Sequence, residues 1–89
     1  MEELKLIFCI WEDITSGEIG WKIVEEAQDW SDTTDSHARQ VGFLVSKDDD
    51  YLVLTCSYIK GLDLIGEVVR IPTPSIKLIK EITIDQSLI

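Results

Sequence analysis

Two β-type runs flank a short polar connection, and no other feature constrains this chain as much. Val41-Gly42-Phe43-Leu44-Val45 and Tyr51-Leu52-Val53-Leu54-Thr55-Cys56 are rich in β-branched and aromatic residues, and Ser46-Lys47-Asp48-Asp49-Asp50 lies between them. Runs of this kind with a polar link of a few residues form an antiparallel hairpin. The acidic triplet belongs at its exposed tip. Once that hairpin exists its edges need partners, and the rest of the chain supplies candidates.

Leu4 to Trp11 reads as a strand with both faces apolar: Leu4, Leu6, Phe8 and Ile10 on one, Ile7, Cys9 and Trp11 on the other. Such a strand is covered on both sides. Glu12-Asp13 ends it. Thr15-Ser16-Gly17 and Gly20 are turn chemistry. Lys22 to Trp30 then predicts about two helical turns, with Ile23, Ala27 and Trp30 at i, i+4 and i+7. Ser31 to Ser36 reads as an exposed loop. Tyr51–Cys56 is expected to run on towards Tyr58 or Ile59. Gly61-Leu62-Asp63 is a tight turn, and Leu64 to Ile71 a fourth strand in which Ile65, Val69 and Ile71 share a face with Glu67. Pro72-Thr73-Pro74 cannot continue a ladder. Ser75 to about Ile84 predicts a fifth strand, because its isoleucines and Thr83 are β-branched; Ser75 as a helix cap is the competing reading.

Strand, long loop, strand, tight turn, strand, tight turn, strand, short break, strand is the chain order of a five-stranded SH3/Sm-like barrel. Residues 1–89 are expected to form one such mostly β domain, its long first loop carrying a short helix.

Charge narrows the partners. The net charge is −9, and residues 12–50 hold eleven acidic side chains against Lys22, Arg39 and Lys47. That field repels phosphate backbones and disfavours nucleic acid. No apolar run reaches the roughly 18 residues of a membrane-spanning helix. The acidic Met1-Glu2-Glu3 start is unlike a secretory signal, so the expected location is the cell interior. Cys9 and Cys56, each in an apolar run, are read as buried reduced thiols.

The chemistry-bearing residues point away from catalysis. There is no phosphate-binding glycine loop and no HExxH. His37, the only histidine, sits beside Ser36, Asp35 and Asp32, and adjacent residues rarely attain triad geometry. Asp48-Asp49-Asp50 lacks the remaining ligands and the glycine of a calcium loop. Glu25-Glu26 reads as a helix face. No catalytic, cofactor or metal site is assigned. Trp11, Trp21 and Trp30 are read chiefly as packing residues, with an interface anchor as the alternative. Trp11, Tyr51 and Tyr58 are the aromatic candidates for proline-peptide recognition, which the missing tyrosine cluster disfavours.

Several of these segments together resemble a family. Trp11-Glu12-Asp13-Ile14, Gly20-Trp21 with Glu25-Glu26-Ala27, Val41 to Ser46, Asp48 to Leu54, and Val69-Arg70-Ile71-Pro72 followed by Ile76 are similar to small phage-encoded proteins of the cyanophage Sm-like type. The resemblance implies a non-enzymatic Sm-like barrel assembled as a homo-oligomeric ring, acting inside the host cell on a host or phage protein. Where such proteins often have Lys-Gly-Cys, this chain has Thr73-Pro74-Ser75. It also lacks the Asp/Asn and Arg-Gly signatures of uridine-rich RNA binding. A ring without that chemistry is the main expectation. The alternatives are an Sm-like RNA-binding protein and an acidic decoy of a nucleic-acid-binding host protein.

Overall fold

The computed structural model describes residues 1–14 and 20–88. The expected turn at Thr15-Ser16-Gly17 lies outside the described residues. The elements are β1 (Leu6–Glu12), α1 (Val24–Thr33), β2 (His37–Lys47), β3 (Tyr51–Thr55), β4 (Tyr58–Ile59), β5 (Leu64–Ile65), β6 (Val68–Pro72) and β7 (Ile76–Ile82), with 3-10 turns at Lys60–Leu62, Thr73–Ser75 and Gln86–Leu88.

The hairpin is present. β2 and β3 pair antiparallel, Phe43 opposite Thr55 and Leu44 opposite Leu54. Its tip closes on Asp48, whose carboxylate accepts from the backbone N–H of Tyr51 (2.7 Å) and of Asp50 (2.8 Å). These two bonds favour the ionised acid and hold its pKa below the usual carboxylate value. Thr73 ties the tip to the turn after β6, its N–H donating to the Asp50 carbonyl and its hydroxyl to that of Asp48.

Around this hairpin forms one five-stranded antiparallel sheet, ordered β6-β3-β2-β1-β7. β1 lies between β2 and β7, with Leu6 opposite both Phe43 and Ile82. β1 is thus central in the sheet, and its two faces differ from the expectation of cover on both sides: Ile7 and Cys9 are buried, whereas Leu6, Phe8 and Ile10 are only half-buried. Ile7, Cys9, Leu52, Leu54 and Ile71 form the core, with Trp11, Leu44, Val69, Ile76 and Ile79 packed against it.

The expected closed barrel is corrected. β6 and β7 each pair with one neighbour, so among the described residues the sheet stays open. Yet it must curl. Pro72 ends β6 and Ile76 begins β7, a span of at most about 14 Å of chain, whereas the outer strands of a flat five-stranded sheet stand about 19 Å apart. Register shifts at Ile10/Trp11 and Leu44/Ser46 supply bends of the kind that β-bulges provide.

Three expected boundaries also move. β2 begins at His37, not at Val41, because the polar segment His37–Gln40 pairs with Cys9–Glu12 of β1. β3 stops at Thr55, whose buried hydroxyl lies 3.0 Å from the carbonyls of both Ser57 and Glu67. The expected fourth strand splits at Gly66, where the backbone N–H donates to the Ser57 carbonyl at 2.8 Å. A Cβ at Gly66 would stand 2.4 Å from the Ser57 hydroxyl, so any larger residue there would have to turn that side chain aside. The final strand, by contrast, is a strand as expected, and the Ser75 hydroxyl donates to the Pro72 carbonyl instead of capping a helix.

Candidate interaction surfaces

Three exposed apolar surfaces stand out, and each traces to a local feature of the sequence. The first consists of the two open sheet edges. β6 exposes Val68, and β7 exposes Leu78 and Ile82. The same strands carry Arg70, Pro72, Lys77 and Lys80, residue types that limit indiscriminate edge pairing.

The second is the small β4–β5 hairpin, in which Tyr58 pairs with Ile65 and Ile59 with Leu64. Asp63, in the left-handed conformation at φ 53°, ends its 3-10 turn. Tyr58 packs edge-on against Phe43 with ring centroids 5.0 Å apart. The amino terminus pairs with Asp63, and Lys60 lies 3.4 Å from Glu3. Ile59, Leu62, Leu64 and Ile65 remain exposed.

The third is the arm between β1 and β2. Asp13 N–H donates to the Ser36 carbonyl at 2.9 Å, closing its base. Every residue from Gly20 to Thr33 is exposed. The helix expected from Ile23, Ala27 and Trp30 is present as α1, but no residue of it is buried. Trp21 is 104% exposed, which overturns the packing expectation for it, whereas Trp30 at 36% keeps most of its surface covered. Helical periodicity marked the face that wants cover; nothing in it shows whether the chain provides any. Trp11 does pack against the core. Its indole Nε1 is enclosed without a hydrogen-bond partner among the described residues.

The candidate chemical residues do not converge. His37 opens β2 rather than lying in a loop, with Nδ1 3.4 Å from Asp35. Asp35 is occupied structurally. It accepts from the His37 N–H at 2.9 Å and pairs with Arg39 at 3.3 Å, and these contacts hold its carboxyl below the usual range. Among the described residues no group of three His, Cys, Asp or Glu side chains is arranged to hold a metal ion. Trp11, Tyr51 and Tyr58 are engaged separately, Tyr51 beneath Arg70 at 4.2 Å. Of the thiols, Cys9 is buried, which pushes its pKa up, but Cys56 is exposed, correcting the expectation for it. The strand that would have buried Cys56 ends one residue earlier.

Among the described residues, shallow hollows include one of about 260 Å³ beside Leu4–Leu6 and Glu81–Ile84 and one of about 120 Å³ between Val41 and Val69. Both fall below the roughly 300–1,000 Å³ of small-molecule sites. Among the described residues no helix is long and apolar enough to cross a membrane. No protein-family model, curated protein or solved structure matches the chain.

Proposed function

We propose that this protein is a non-enzymatic interaction protein of Sm-like barrel type that assembles into a homo-oligomeric ring inside a host cell. One observation carries the reading: the curled sheet has two open edges, and they differ. β6 offers Val68 beside Arg70, and β7 offers Leu78 and Ile82 between Lys77, Lys80 and Glu81. Joining β6 of one copy to β7 of the next satisfies the free backbone groups of both. A contact between unlike patches repeats until rotation closes it, and by the resemblance to Sm-like rings the expected closure is at about five to seven subunits. The near-neutral composition of residues 51–85 permits this proximity, while the acidic arm stays outside the contact.

Light scattering at micromolar concentration tests the reading. The expected mass is about five to seven times the 10.1 kDa of one chain. A mass near 10.1 kDa overturns assembly. A dimer leaves the small-barrel reading in place but removes the ring, since a two-fold contact uses one edge twice.

A further inference from the structure

We propose that the arm, residues 20–36, is a docking element for a different protein that presents an apolar groove in a cationic surface. The inference goes beyond ring assembly and does not depend on it.

The arm's composition separates cleanly around the helix. At 3.6 residues per turn, Ile23, Ala27 and Trp30 fall within about 60° of one another, with Val24 on their flank. Glu25, Glu26, Asp29 and Asp32 occupy an arc of about 120° on the other side. Trp21, two residues before Ile23, is wholly exposed as well. Tryptophan is the residue type most enriched in anchors that fill a partner's pocket.

Energetics give the arm a reason to seek a partner. A helix of ten residues is marginal in water unless packing supports it. This one has no side-chain N-cap bond and buries no residue. Glu25 and Glu26 suit its first turn, but the last turn carries Asp32 and no basic residue, against the helix macrodipole. A cationic surface beside that end would offset the mismatch as the groove covers the tryptophans.

Charge identifies the occupant. Residues 13–36 hold seven acidic side chains and one basic, so nucleic acid, an anionic bilayer and a second arm are all repelled. The sheet of another copy is a poor substitute, because most of its cations are engaged within their own chain. Lys5 pairs with Glu81, Lys60 with Glu3, Lys77 with Glu12 and Arg39 with Asp35, and Arg70 covers Tyr51. The complementary surface therefore belongs to another protein.

The test uses the full chain and a fluorescein-labelled amphipathic Leu/Lys helical peptide of about 14 residues, with a matched Leu/Glu peptide as control. Anisotropy should show saturable micromolar binding of the Lys peptide, weakened at least about tenfold between about 50 and 300 mM salt. The Trp21→Ala/Trp30→Ala double variant should lose at least about tenfold in affinity, and Trp21→Ala alone should weaken binding with an unchanged thermal transition, since that side chain is wholly exposed. Equal binding of the two peptides, no binding, or an unchanged affinity of the double variant overturns the proposal. Light scattering separates it from the ring. If the double variant dissociates the assembly, the arm's occupant is a second copy and the proposal fails. A monomer that binds the peptide through the tryptophans sustains it and sinks the ring.

Discussion

Replacing Leu54 by alanine removes the side chain that lies over Gly42, and the packing there sets the magnitude. Leu54 is wholly buried, as are Leu52, Cys9 and Ile71 around it. At Gly42 an added Cβ would stand 2.9 Å from Leu54 Cβ and 3.4 Å from its Cδ1, so the leucine packs directly on bare backbone. No side chain at Gly42 can move into the space left by truncation. Leu→Ala losses span about 2–5 kcal/mol, the larger values going to sites that cannot collapse, and Leu54→Ala is placed at about 3–5 kcal/mol. For a chain of 89 residues total stability is about 4–13 kcal/mol, so the variant sits near the folding threshold. Urea unfolding followed by circular dichroism measures it. With a slope of about 1–1.5 kcal/mol/M, the midpoint should fall by at least about 2 M. The converse change, Gly42→Ala, overpacks the same contact and should cost about 1–3 kcal/mol. The closest clash of that methyl is with Leu54 Cβ, which alanine keeps, so most of the Gly42→Ala cost should persist in the double variant and only the looser Cδ1 contact is relieved. A Leu54→Ala loss below about 1 kcal/mol at unchanged slope would refute the core described above.

Other outcomes follow from the same structure. Asp35, Asp48 and Asp85 accept backbone N–H bonds that lower their pKa values from 3.8, so each favours the fold when ionised. Their contribution is complete above the ordinary carboxylate range and is lost as pH falls through the lower folded values; urea midpoints measured from pH 6 down to 2 should decline at the acid end, less steeply in Asp48→Asn. Val68→Glu, on the open β6 edge, should lower the assembled mass while leaving the circular dichroism spectrum intact; a retained mass places the contact elsewhere. Binding to single-stranded RNA or duplex DNA should be weak near physiological salt, because Lys60 and Lys77 are ion-paired and Arg70 covers Tyr51. Tight, salt-sensitive filter binding reverses that expectation and makes Lys80 the first residue to replace. A thiol reagent applied to native protein should modify Cys56 quickly and Cys9 only through opening of the core.

What was legible in the sequence was whatever depends on local pattern. The hairpin of β2 and β3 announced itself because its residues are β-formers and its link is polar. β1 was legible as a strand from its β-forming residues, but cover on both faces was not borne out, since only the Ile7 and Cys9 face is buried. The start of β2 was not, since His37-Ala38-Arg39-Gln40 has no strand signature and is extended only because β1 pairs with it. Closure was not legible either. The order of strands is a matter of sequence pattern, whereas whether β6 meets β7 depends on accumulated twist and on the bends at Ile10/Trp11 and Leu44/Ser46. At the surfaces, the amphipathic stripe of α1 was readable and its isolation was not. Trp11, Trp21 and Trp30 are alike in composition, yet the first packs against the core, Trp21 is wholly exposed and Trp30 lies on a helix that buries no residue. Cys56 was misjudged by a single residue of strand length.

The position of β1 between β2 and β7 also sets an order of events for the chain as it is made. The β2 and β3 pairing joins residues about ten apart, a loop whose closure is fast. The β1 and β7 pairing joins Leu6 to Ile82, and such long-range contacts form late and slow folding. During synthesis at about 5–20 residues per second, the most apolar strand therefore waits several seconds with one edge uncovered. A ribosome that stalls or terminates before Ile76 releases a chain whose β1 edge has no native partner, an aggregation-prone intermediate by construction. The acidic segment that follows β1 emerges early and travels with that exposed strand, where like charge keeps neighbouring nascent chains apart until β7 arrives.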